Sequence, residues 1–194
     1  MRIVAVRERT VELSSPTRNS SISFDAMTAS VIAVHTDAKK DGKPLIGLAF
    51  DSVGRYGHGG LLRERFIPRL TAADPKEYSD ESGGIDPHRA WAVMMKDEKP
   101  GGHGERSGAV GLLDTALWDL AAKAAGEPLW RHLAKRHGRA NATGKMAVYA
   151  SGGHYRPAND IEGLCDDIRR AIGQGHTRFK IKIGGTSIAD DIKR

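Results

Sequence analysis

Apolar and polar residues alternate with a period of two over residues 2–13, about 22–36 and 44–51, as in strands that bury one face. Residues 37–43, Asp-Ala-Lys-Lys-Asp-Gly-Lys, read as a turn between the second and third segments, so the three predict an antiparallel meander. Over 60–70 and 87–97 the period lengthens to that of a helix. A long helix is predicted from about Glu105, because Ala109, Leu112, Leu113, Ala116, Leu117, Leu120, Ala121 and Ala124 recur three and four positions apart. Gly126 ends it, and Pro128 opens a shorter helix through Leu133, in keeping with glycine just past a helix end and proline in a first turn.

The pattern changes across 138–144, a small and polar stretch that reads as the boundary between a domain of residues 1–140 and a second part, 141–194. Beyond it, 146–150 reads as a short buried strand, 160–174 as an amphipathic helix, and 178–183 as a second buried strand followed by Gly184-Gly185. Strand, helix and strand in that order predict a parallel pair with a right-handed crossover. The fold class expected is therefore an α+β capping domain, a three-stranded antiparallel sheet with helices, followed by the first strands of an incomplete (β/α)8 barrel of the TIM type. In such barrels the chemistry sits at the carboxyl ends of the strands.

Composition narrows the classes. Of the 194 residues 39% are hydrophobic and 28% charged, and no apolar run reaches the roughly 18 residues of a membrane helix. The apolar run before Arg7-Glu8-Arg9 is too short for the core of a signal peptide, so the expected location is the cytoplasm. A single cysteine, Cys165, rules out an internal disulfide. The net charge of +6 is dispersed except over 131–139, where basic residues close a helix, complement its dipole and stay solvated. Neither nucleic acid nor a membrane is an expected partner. His132 and His137, five residues apart, do not share a helix face and read as surface residues.

The candidate chemistry lies in Arg178-Phe179-Lys180-Ile181-Lys182-Ile183. On a strand Lys180 and Lys182 share one face, opposite Phe179, Ile181 and Ile183. Burial and a like-charged neighbour both disfavour an ammonium, so either amine suits proton abstraction near neutral pH. Three loops, 14–20, 54–60 and 99–106, are richer in glycine and polar residues than a connection requires, and suit a carboxylate ligand. No phosphate-binding glycine signature and no His-Glu-x-x-His zinc helix is present.

The segments Glu105 to Leu120, Gly126-Glu127-Pro128-Leu129-Trp130 and Lys180-Ile181-Lys182-Ile183-Gly184-Gly185 resemble the enolase superfamily, mandelate racemase branch. The three loops, with Arg18-Asn19, Gly54-Arg55-Tyr56-Gly57 and Lys99 to Arg106, are similar to those of the D-tartrate dehydratases within it. The resemblance implies abstraction of the proton α to a carboxylate, with Mg²⁺ on the resulting enediolate. It implies Lys182 as the base, with Lys180 lowering its pKa or contacting the substrate carboxylate. Asn19 and Lys99 would hold the distal carboxylate of a small dicarboxylate or acid sugar, and Tyr149 and Ser151 would line the pocket. Elimination of water from D-tartrate would then give oxaloacetate; a racemase, or a dehydratase of another aldarate or aldonate, is the alternative. By the same resemblance the acidic metal ligands and the general acid come from barrel strands beyond Arg194, so no metal ligand is expected here; Asp190 and Asp191 read as helix-capping residues. The sequence reads as the amino-terminal portion of a longer, homo-oligomeric enzyme, inactive by itself, with a non-catalytic truncated capping domain as the remaining alternative.

Overall fold

The computed structural model describes residues 1–15, 17–25, 27–51, 58–99 and 104–194. They form two compact units, one of Met1–Val11 with Thr28–Gly144, the other of Glu12–Met27 with Lys145–Arg194.

In the first unit β1 (Ile3–Glu12), β2 (Thr28–Lys40) and β3 (Lys43–Phe50) form an antiparallel sheet in the order β1-β2-β3. The β2–β3 register runs from Lys40↔Lys43 to Val31↔Phe50, with an irregularity between His35 and Lys39. Asp41 and Gly42, at φ 50° and 74°, close the hairpin as a two-residue turn whose twist matches the strands. The connection is thus shorter than the seven-residue turn expected, and residues 37–40 belong to β2. Residues 22–25 and Met27 lie outside the strand, since β2 begins at Thr28. Phe24 instead packs edge-on against His154 in the second unit, which accounts for an apolar residue in that segment.

Ile32 and Val34 of β2 and Leu45 and Ala49 of β3 are buried on the face toward α5 (Arg106–Ala125). Preceding α5 are α1 (His58–Leu61), a π-helical turn (Leu62–Phe66), α2 (Ile67–Ala72), α3 (Pro75–Tyr78) and α4 (Pro87–Met95). The expected apolar stripe of α5 is buried except at Ala124, and Val110, Trp118 and Ala122 are buried as well, because α1, α4 and α6 (Leu129–Arg136) also contact this helix. Gly126 ends α5 at φ 74° and Pro128 caps α6, as the sequence predicts. The basic residues after it are engaged: Arg136 pairs with Asp86 at 2.8 Å and lies 5.3 Å from the Trp118 ring, and Lys135 pairs with Glu127. His132 is a correction, being half-buried, 3.1 Å from Glu127 and edge-on to Trp118; His137 is exposed.

Glu98 anchors the end of the α4 region. Its buried carboxylate accepts from Arg69 at 2.8 Å and Arg106 at 3.1 Å, with Arg65 at 3.6 Å. Burial raises its pKa, but the three guanidinium groups outweigh that and hold it below the ordinary value. The sign follows from linkage: this stabilisation is complete above about pH 4.5, the ordinary value, and is lost as pH falls through the lowered native one. Glu98→Gln is therefore expected to lower the thermal midpoint at pH 6 and to flatten the decline below pH ~4.5 relative to wild type, measured by circular dichroism across pH 3–6.

The second unit contains β4 (Ala150–Ser151), α7 (Asp160–Gly173), β5 (Phe179–Lys180) and α8 (Ile188–Lys193). β4 and β5 are parallel, with Ala150 opposite Phe179 and Ser151 opposite Lys180. Both strands are shorter than the sequence predicts and are not buried: Met146 is 86% exposed, Val148 61% and Ile183 69%. Leu164 of α7 is the buried apolar contact on one face, and a two-stranded ladder offers nothing further for alternate residues to pack on. Cys165 is free and half-buried. Among the described residues no helix is long and apolar enough to cross a membrane.

Candidate functional site

Four of the expected residues lie in or beside the short strands of the second unit: Tyr149 just before β4, Ser151 at its end, Lys180 at the end of β5 and Lys182 two residues beyond it. Ser151 and Lys180 are direct register partners and so share one face of the ladder. Phe179 and Ile181 line a cavity of about 320 Å³ with Leu164 and Ile168 of α7. Backbone bonds from Ala150 N to Arg178 O at 2.9 Å, Gly152 N to Lys180 O at 3.0 Å and Lys182 N to Gly153 O at 3.2 Å hold the strand ends in line. Tyr149, Ser151 and Lys180 are exposed and Lys182 is half-buried.

Lys182 has its pKa lowered, first by burial and then by the adjacent Lys180 ammonium. His154, just after β4, is half-buried and also lowered, first by burial and then by the charges of Lys182 and Arg194. His154, within electrostatic reach of Lys182, is a residue that the sequence pattern had not singled out. The turn after β5 is built around Tyr155, which donates to Asp191 at 2.6 Å and accepts from Gly185 N at 2.9 Å. Gly184 sits at φ 84°, and a Cβ on Gly185 would lie 2.8 Å from two carbons of the Tyr155 ring, so the Gly-Gly pair is required for this close approach. Ser187 caps α8, accepting from Asp190 N at 3.1 Å, and Asp191 accepts from Gly184 N at 2.6 Å. Both aspartates are thereby committed to the helix start and its preceding turn.

Asn19 also lies in the second unit, and its Oδ1 accepts from Ser21 N and Ile22 N, both at 2.8 Å, as in an Asx turn. Lys99 lies in the first unit, exposed, its carbonyl held by Arg106 at 2.8 Å. Of the three polar loops, Pro16, residues 54–57 and residues 100–103 lie outside the described residues. Where the last two loops meet structure, buried His58 joins them: Nδ1 is 2.9 Å from Asp51 at the end of β3, and Nε2 is 2.9 Å from Glu105 just before α5. Asp51 also accepts from Ser30 N at 2.7 Å. These partners are 7 and 47 residues from His58 in sequence, too irregular a spacing for any motif to expose.

No group of three or more His, Cys, Asp or Glu among the described residues is placed to hold a metal ion. The donors present do not fit a Mg²⁺ site, which needs several oxygen ligands in near-octahedral geometry, and the two aspartates of α8 are already bonded elsewhere.

Comparison with known proteins places this geometry in context. No family model matches the chain. It is 32% identical over 105 residues to the arabinonate dehydratase of Saccharolobus solfataricus, covering 54% of this chain and 26% of that protein. It is 29% identical over 132 residues to the D-galactonate dehydratase family member RspA of Halomonas elongata, covering 66% of this chain and 27% of that one. Among solved structures, a mandelate racemase/muconate lactonizing enzyme-like protein from Rubrobacter xylanophilus superposes with a TM-score of 0.64 at 21% identity, covering 98% of this chain and 47% of that chain. A mandelate racemase/muconate lactonizing enzyme from Roseovarius nubinhibens, complexed with magnesium, gives a TM-score of 0.60 at 23% identity over 98% of this chain and 46% of that one. The fold is therefore that of the amino-terminal part of these enzymes. The chain spans about half the length of those structures and about a quarter of these curated relatives.

Proposed function

We propose that residues 1–194 are the amino-terminal portion of an enolase-superfamily hydro-lyase that removes the α-proton of an acid sugar and eliminates the β-hydroxyl as water. The observation that carries this reading is Lys182, half-buried two residues beyond β5 with its pKa lowered by burial and by Lys180. Its free amine takes the α-proton, while Lys180 supplies a fixed positive charge where negative charge develops on the carboxylate. The dehydratase relatives support water loss as the second step, and the magnesium-bound structure supports Mg²⁺ as cofactor. In this reading the metal ligands and the acid that protonates the leaving hydroxyl are supplied by polypeptide outside residues 1–194.

The finer substrate assignment is D-tartrate. Its support is the likeness of the polar loops around Asn19 and Lys99, one in each unit, to those of the D-tartrate dehydratases. Loss of the α-proton and the β-hydroxyl from tartrate yields an enol that tautomerises to oxaloacetate. The relatives favour longer acid sugars, so the complete protein is to be assayed with D-, L- and meso-tartrate beside arabinonate, galactonate and mannonate. Keto-acid formation together with α-proton exchange in deuterated buffer supports the dehydratase; exchange with inversion and no keto acid identifies a racemase, and no exchange with any of them overturns the reading. Lys99→Met is expected to lower kcat/KM for D-tartrate at least tenfold, since a charge-assisted hydrogen bond is worth about 1.5–3 kcal/mol. An unchanged ratio among the tartrates would make Lys99 a structural loop residue.

A further inference from the structure

Arg194 has an unusual set of partners. Its guanidinium donates to Lys182 O at 2.7 Å, to Gly153 O at 2.9 Å and to His154 O at 3.3 Å, and Nε pairs with Asp160 at the start of α7. It lies 4.4 Å from the Tyr155 ring centroid, and its side chain is only 3% exposed. One side chain thus collects the carbonyl groups that follow β4 and the carbonyl of Lys182 itself, beyond the last residues that the strands pair. Only a planar fork of several N–H donors can serve three carbonyls and a carboxylate together.

We propose that Arg194 is a positioning residue for Lys182, clasping the carboxyl ends of both strands so that the Lys182 amine is held against Lys180 at the site. The inference rests on the reading of Lys182 as the proton acceptor. Without the clasp, a single backbone bond, Lys182 N to Gly153 O at 3.2 Å, ties this residue to the neighbouring strand end. The segment would then fray and the two like charges would move apart. The charged groups at this end of the unit are Lys180 beside Lys182, His154, which feels the charges of Lys182 and Arg194, and Asp160 and Asp191, which act on Arg194.

The test is the titration of Lys182 in the complete protein, followed by side-chain carbon NMR and assigned through the resonance lost in Lys182→Met. Arg194→Lys keeps a cation and gives up the fork. It is expected to move the Lys182 titration up toward that of an ordinary lysine by on the order of one pH unit, as the ammonium groups separate. The acid limb of α-proton exchange should move with it, and kcat should fall at least about tenfold while KM changes less than about twofold, as expected for a displaced base. A Lys182 titration identical in wild type and Arg194→Lys overturns the proposal. If the titration moves but Lys182→Met retains full exchange, the positioning stands and the assignment of Lys182 as base fails. Should Arg194→Lys not fold, Asp160→Asn, which loosens the guanidinium while leaving it in place, is expected to shift the titration in the same direction, and no shift there is equally decisive.

Discussion

Lys182→Ala in the complete protein is expected to lower α-proton exchange by about 10²- to 10⁴-fold, the usual contribution of a positioned base. Three observations converge on this residue: it follows β5 by two positions, it is half-buried, and burial followed by its like-charged neighbour Lys180 lowers its pKa. An amine displaced this way carries a larger free-base fraction at neutral pH than an ordinary lysine. Exchange of the α-proton in deuterated buffer reads this step before water is lost, so a defect in elimination cannot imitate it. Lys180→Ala should behave differently. It removes the like charge, so the acid limb of the exchange profile is expected to rise in pH along with any loss of rate. Undiminished exchange in the Lys182→Ala protein would remove this lysine from the chemistry.

The second large effect is on stability. Gly47 of β3 faces α5 so closely that a Cβ there would lie 2.8 Å from Cβ of Leu120 and nearer still to the carbonyl oxygen of Ala116. Both obstacles belong to the helix backbone or sit directly on it, so no flexible side-chain end can yield, and Gly47→Ala must push the sheet and helix apart. Overpacking of this kind costs about 1–3 kcal/mol, and the rigidity of the contact places this case at the upper end, about 3 kcal/mol. For a protein of this size that is a fall of roughly 6–12 °C in the midpoint of the first unit's unfolding, measurable by calorimetry. A midpoint unchanged within about 2 °C would mean that the sheet and helix separate at little cost. Gly42→Ala, with open space around its Cβ, is a useful contrast, since only its positive φ of 74° opposes the change.

Local pattern was sufficient for the elements whose causes are local. The three- and four-residue spacing of apolar positions, with Gly126 and Pro128 at its end, located α5 and α6, and the order of strand, helix and strand predicted the parallel pair. Asp190 and Asp191 fall in the first turn of α8, where the sequence placed them, but the cap itself is Ser187, which accepts from Asp190 N. The misreadings lie where a partner outside the segment decides. Phe24 is apolar where β2 has not yet begun, and it meets His154, 130 positions away. Residues 146–150 and 178–183 have the composition of buried strands, yet burial depends on what covers both faces of a strand, and here one helix contributes a single buried leucine.

The sequence by itself determined that Lys180 and Lys182 stand two positions apart after α7, a spacing that puts them on one face wherever the backbone is extended. It also determined the hairpin and the long helix, which rest on contacts a few residues apart. Only the tertiary structure decided what surrounds the lysines. It brought Arg194 back across 41 residues to Gly153 and 12 to Lys182, placed the His154 imidazole within electrostatic reach of Lys182, and bridged Asp51 to Glu105 through His58. These bonds join single donors and acceptors far apart in the chain, with no repeating interval. They exist because buried polar groups must find partners wherever the fold brings them, and that need leaves no period in the sequence.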